Sequence, residues 1–135
     1  MSHYQLRRTF DAPPEQVFRF FIEPEPFSQW FIVPGFRTPS ESVRMDARAG
    51  GSVQAVMVAD GTEIPFTVQF GDVEPPHRVV LRPGDDEEVT IALSPTRDGT
   101  ELTYDYTGPA AGPADQAAVH AMLDHIARHL GMTAK

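Results

Sequence analysis

Between residues 43 and 107 apolar side chains recur at every second position in one run after another, and past residue 113 the spacing changes to three and four. Period two marks a strand with one buried face; period three-to-four marks a helix with one buried stripe. A chain with many such strands and one such helix covers both apolar surfaces by laying the helix on the sheet.

The strands can be read one at a time. Residues 43 to 48 run to Gly50-Gly51, and Val53, Ala55 and Met57 alternate with Gln54, Val56 and Val58 as far as Asp60-Gly61, a hairpin signal. Ile64, Phe66, Val68 and Phe70 then alternate with Pro65, Thr67 and Gln69, and this strand continues to Val73 ahead of Pro75-Pro76. Residues 77 to 82 make a fifth strand. Val89, Ile91 and Leu93 alternate into a sixth, Asp98-Gly99 turns the chain, and Leu102, Tyr104 and Tyr106 line a seventh. The first strand stands apart at residues 3 to 10, where Tyr4, Leu6 and Phe10 share a face with Arg8 as the exception. Short turns between most strands predict an antiparallel sheet.

Two short helices separate the first strand from the rest. Pro14 suits a first helical position, Glu15 complements the helix dipole, and a helix over residues 14 to 22 stops before Pro24. Pro24 and Pro26 open a second helical stretch that puts Phe27, Trp30 and Phe31 on one face and ends at Pro34-Gly35. After the breakers from Gly108 to Pro113, including Ala110 and Ala111, Val119, Met122, Leu123, Ile126 and Leu130 form the stripe of a terminal helix that stops at Gly131. The prediction is a single domain over residues 1 to 135. It is α+β in the order β-α-α-β6-α: a curved antiparallel seven-stranded sheet wrapped around a long C-terminal helix, with two short helices closing the cup.

Charge and composition exclude several functions. A net charge of −8 and a pI near 4.9 oppose nucleic-acid or anionic-membrane binding through a general field. Without cysteine there is no disulfide framework or thiolate metal site. The N-terminal residues carry no signal-like apolar region and no window is apolar enough to span a membrane, so a cytoplasmic protein is expected. The acidic run at residues 85 to 88 reads as a solvated turn. Gly50-Gly51 precedes a strand rather than a helix and lacks the context of a phosphate loop.

The order of elements leaves room for a cavity between sheet and terminal helix. On the sheet, Met57, Phe66, Val68, Phe70, Leu93 and Tyr104 face the helix if the parity is right, and Met122 and Ile126 look back at them. Phe18, Phe21, Phe27, Trp30 and Phe31 suit an aromatic pocket wall and equally suit a solid core. Tyr104 and Tyr106 stand out because a buried phenol needs a hydrogen-bond partner, which a ligand can supply. Arg8 is either a pocket cation or the partner of an acidic neighbour at the sheet rim. The candidate lining set is therefore Arg8, Phe21, Trp30, Phe31, Met57, Phe66, Val68, Tyr104, Met122 and Ile126. No nucleophile elbow or triad spacing is present, so no catalytic residue is assigned. His125 and His129 are spaced as on a zinc-binding helix but lack a third ligand, so no metal or other cofactor is expected.

Several segments resemble a known family. They are residues 11 to 18 (Asp-Ala-Pro-Pro-Glu-Gln-Val-Phe), Pro24-Glu25 through Trp30-Phe31 to Pro34, residues 46 to 51, residues 73 to 80 (Val-Glu-Pro-Pro-His-Arg-Val-Val), residues 89 to 93, residues 99 to 103, and Leu123-Asp124 through His129-Leu130. Their order is similar to that of the START-related helix-grip proteins, and among these the group similar to the activator of heat-shock protein 90 ATPase. The resemblance spans nearly the whole chain and implies the helix-grip fold. Where similar bacterial proteins often carry Gly-Trp at the start of the last helix, this chain has Ala118-Val119, and it lacks a tryptophan near Arg82-Pro83. Both differences remove aromatic bulk near the expected cavity.

Three functions follow as expectations. The first is a binding module for a small, largely apolar molecule. The second is a cyclase- or hydrolase-like enzyme in which Tyr104, Arg8 or an inward Asp46 polarises a carbonyl. The third is a chaperone-associated protein, which requires an exposed apolar patch. A sheet edge could also support a homodimer.

Overall fold

Strand β1 (Ser2–Phe10) enters the short helix α1 (Pro14–Ile22) and then α2 (Pro24–Trp30). Strands β2 (Arg44–Met45), β3 (Ser52–Ala59), β4 (Thr62–Glu74), β5 (Arg78–Arg82), β6 (Glu88–Pro95) and β7 (Thr100–Gly108) follow, and helix α3 (Pro113–His129) ends the fold. The computed structural model describes residues 2–31, 35–109 and 112–130. Pro34, Ala110, Ala111 and Gly131, used above as breakers or stops, lie outside the described residues.

All seven strands form one antiparallel sheet in the order β1-β7-β6-β5-β4-β3-β2. β1 and β2 are therefore opposite edges although they are consecutive strands in sequence. α1 and α2 carry the chain from one edge to the other, and they bury Val17, Phe18, Phe20, Phe21, Phe27 and Trp30 as they do so. A register shift between Phe70 and Val73 sets two residues of β4 against one of β5, a bulge that bends the strand. Gly71 sits at that bulge, where a Cβ would lie 2.9 Å from Val80.

The expected alternation holds on β7, β6 and the later part of β4, whereas Ile64 at the start of β4 is exposed and Met57 and Phe66 are half-buried. Leu102, Tyr104 and Tyr106 are buried on β7, Val89, Ile91 and Leu93 on β6, and Val68 and Phe70 on β4. Pro65 is accommodated in β4 because β5 pairs only from Gln69 onward, so the missing N–H breaks no ladder on that side. The terminal helix buries Val119, Met122, Leu123 and Ile126 of the predicted stripe and Ala127 besides, with Leu130, the last of the stripe, half-buried. Pro113 stands at the first turn of α3, and the Asp115 carboxylate accepts a hydrogen bond from the Gly112 N–H at 3.0 Å, satisfying one donor of the helix start.

One strand is shorter than the sequence suggests. Residues 43 to 48 were expected to extend as β2, which keeps only Arg44 and Met45. Beyond them the backbone curls: the Arg48 N–H bonds to the Asp46 carbonyl at 2.9 Å, the Gly51 N–H bonds to the Arg48 carbonyl at 2.8 Å, and Gly50 takes a φ of +83°. Local hydrogen bonds thus satisfy groups that a strand would have offered to β3. Among the described residues no helix is long and apolar enough to cross a membrane.

Candidate functional site between sheet and helix

Tyr104 sits at the middle of β7, the strand next to the β1 edge, on the inner face and directly across from Leu6 on one neighbouring strand and Ile91 on the other. Its ring lies 6.3 Å from that of Tyr4, which in turn stacks on Tyr106 at 5.1 Å. Three phenols from two strands therefore share one end of the inner face. The Tyr106 hydroxyl donates to the Glu87 carboxylate. The Tyr104 hydroxyl has no hydrogen-bond partner among the described residues, although the residue is only 7% exposed. No fully enclosed side-chain polar atom among those residues lacks a partner. The Tyr104 oxygen is therefore not fully enclosed.

Burial fixes the protonation of these groups. Desolvation first, and then Tyr4, Tyr106 and Glu87, raise the Tyr104 pKa far above the ordinary phenol value. Tyr4 is pushed up to about 12, by burial first and then by Asp115 and Glu87. Both phenols act as neutral hydrogen-bonding groups near neutral pH. Since each holds its proton more tightly in the folded than in the unfolded chain, their contribution to stability is full below pH 10, the ordinary phenol value, and is lost as pH rises through the folded values. An ultraviolet titration of phenolate absorbance should show Tyr104 ionising only together with unfolding, and Tyr104→Phe should lessen the alkaline loss of stability.

At the other end of the inner face the side chains are aromatic. Phe21 meets Trp30 edge-on at 5.1 Å, Trp30 meets Phe31 at 5.5 Å, and Phe31 stacks on Phe66 at 5.2 Å. The indole N–H donates to the Phe20 carbonyl at 2.6 Å, which ties α2 to α1. Phe31 and Phe66 are half-buried, in contrast to Phe21 and Trp30, which are sealed.

The structure distributes the ten expected lining residues unevenly. Phe21, Trp30, Val68, Tyr104, Met122 and Ile126 belong to one buried cluster, with Phe31 and Phe66 packed against it. Met57 shares the face of Val53 and Ala55 but lies opposite Ile64, towards the β3–β4 turn and outside that cluster. Arg8 is engaged: its guanidinium pairs with the Asp124 carboxylate at 2.7 Å and donates to the His120 carbonyl at 3.3 Å. That is the acidic-neighbour alternative, and it pins α3 to β1. Both side chains are mostly buried, at 20% and 32% exposed, so Arg8→Met should lower stability by about 1–3 kcal/mol. A double-mutant cycle with Asp124→Asn in urea denaturation isolates the coupling.

Asp46, an inward group in the enzyme expectation, is exposed and pairs with Arg48 at 2.9 Å. Sequence reasoning missed Tyr4, Glu87 and Asp115. Glu87 was assigned to a solvated turn, yet it takes the Tyr106 proton donor. Tyr4 was detectable: antiparallel pairing of the first and last strands puts it opposite Tyr106. A separate groove of about 620 Å³ opens on the outside of the molecule, between α1, α2 and the end of α3, lined by Gln16, Phe20, Pro24, Gln29, His129 and Leu130.

Residues 11–134 match the profile of a family described as Activator of Hsp90 ATPase homolog 1-like protein. Comparison with curated proteins finds no match. Among solved structures, the AHSA1-like protein of Aeromonas hydrophila superposes with a TM-score of 0.84 at 22% identity, over 96% of this chain and 92% of that one. A Chromobacterium violaceum protein gives 0.79 at 28% identity, over 96% and 97%. A Rhodobacter sphaeroides protein gives 0.82 at 23% identity, over 96% and 92%.

Proposed function

The chain belongs to the Activator of Hsp90 ATPase homolog 1-like family, and from that footing we propose that it binds a small, largely apolar molecule between the inner face of its sheet and α3. The observation that carries this reading is Tyr104, a residue only 7% exposed whose hydroxyl has no protein partner among the described residues and is not fully enclosed. A hydroxyl that is not engaged by the protein is free to donate to the polar atom of a bound molecule. Apolar contact area comes from Leu6 beside it and from Met122, neither of them fully sealed, and the half-buried Phe31 and Phe66 offer more at the opposite end.

A chaperone-associated role has less support. Among the described residues Ile64 is the single exposed large hydrophobic, at 38%, so the described surface offers little apolar area for a partner protein.

Titration with prodan, an uncharged naphthalene ketone dye, tests the reading. Saturable one-to-one binding with a blue-shifted emission is expected. Met122→Phe, which adds bulk against the inner face, should weaken binding, and His129→Ala in the outer groove should not. Binding that responds to His129→Ala alone, or that never saturates, would overturn the proposal.

A further inference from the structure

The polar groups on the inner face define the chemistry of what that face can hold. Apart from the phenols of Tyr4, Tyr104 and Tyr106, the ionisable side chain set among the inward positions of β1 is Arg8, and its charge is already matched by Asp124. The charges felt by the phenols are negative ones. Glu87 acts on both Tyr4 and Tyr104, Asp115 acts on Tyr4, and Glu87 accepts the Tyr106 hydroxyl. A carboxylate brought to Tyr104 would lose its water, gain one neutral hydrogen bond and face Glu87, with Arg8 already committed. An ammonium would also lose its water, and the Glu87 carboxylate is already hydrogen-bonded to Tyr106. An uncharged ketone or alcohol meets neither penalty.

Resting on the proposed binding site, we infer that its occupant presents an uncharged oxygen, a ketone or hydroxyl, to the Tyr104 hydroxyl, and that the site discriminates against the carboxylate of the same carbon skeleton. Tyr104 donates to a carbonyl or alcohol oxygen, and the remainder of the molecule lies against Leu6 and Met122, which are not fully sealed. Charge, rather than length, then separates accepted from rejected molecules. Because burial holds the phenol pKa far above its ordinary value, this donor is available through the neutral pH range.

Eleven-carbon compounds matched in length test the inference by displacement of bound prodan: undecane, methyl nonyl ketone, undecyl alcohol, undecanoate and undecylamine. The ketone and the alcohol should compete about ten-fold better than undecane, undecanoate or undecylamine, the size of one net hydrogen bond. In Tyr104→Phe the ratio of ketone to undecane affinity should fall to near one while undecane itself is unaffected, a change that a purely structural role for the ring would not produce. Glu87→Gln should narrow the gap between ketone and carboxylate several-fold, and this arm stands even if Tyr104→Phe folds poorly. If undecanoate or undecylamine matches the ketone, or the ratio survives in Tyr104→Phe, the inference falls while the binding site stands. If no compound displaces the dye and prodan itself does not bind, the binding-site reading falls with it.

Discussion

Trp30→Ala should lower the unfolding free energy by about 3–5 kcal/mol, a large share of the roughly 5–15 kcal/mol available to a domain of this size. The indole is 1% exposed, meets Phe21, Phe27 and Phe31 edge-on, and donates its N–H to the Phe20 carbonyl. Truncation removes three aromatic contacts, opens a cavity where α1 and α2 cross, and leaves that carbonyl without its donor. In a thermal melt Tm should drop by about 10–20 °C. Trp30→Phe should cost less, because it keeps most of the ring contact and loses the hydrogen bond. Equal losses in the two variants would mean that the hydrogen bond, not the packing, dominates at this corner.

Leu123→Ala should cost about 2–5 kcal/mol. Leu123 is fully buried on the stripe of α3, between the turns that carry Val119 and Ile126. Its neighbour Asp124 holds Arg8, so the loss has two parts: a cavity beneath the helix, and a looser hold on the ion pair that fastens the helix to β1. Ala117→Ser, on the exposed side of the same helix, is the control and should change stability by less than about 0.5 kcal/mol. Urea denaturation at neutral pH measures both. A small loss in Leu123→Ala would show that α3 contributes little to the fold, against the packing described here.

Much of this architecture was legible in the sequence because it depends on short-range rules. The alternation of Phe66, Val68 and Phe70, the turns at Asp60-Gly61 and Asp98-Gly99, and the stripe from Val119 to Ile126 each follow from spacing within a few residues. The β2 strand failed by the same standard: residues 43 to 48 alternate acceptably, but the backbone after Met45 turns through local hydrogen bonds from Arg48 to Asp46 and from Gly51 to Arg48, with Gly50 at positive φ. The site was less legible. Tyr104 could be singled out as a buried phenol from its parity, but whether it has a partner depends on where the side chains of Tyr4, Tyr106 and Glu87 end up, and these come from the first strand, the last strand and a turn. Arg8 posed the opposite problem. Its position on an apolar face was plain, and its match with Asp124 on the terminal helix was fixed only by how α3 lies across β1. Contacts of that kind are set by the closure of the whole sheet, and no local pattern encodes them.

The differences from similar proteins at Ala118-Val119 and Arg82-Pro83 bear on the same question. Val119 is buried, whereas Ala118 is half-buried and Arg82 reaches out to Glu88 at 3.2 Å. Neither segment brings an indole towards the sheet, so the inner face owes its aromatic surface to α1, α2 and β4 and its polar surface to the tyrosines.

Intermolecular nuclear Overhauser effects between methyl nonyl ketone and the protein test the central claim most directly. The account predicts contacts from the bound ketone to the Tyr104 ring and to the Met122 methyl group. Contacts confined to Phe20 and His129 in the outer groove, or no contacts at saturating ketone, would contradict it.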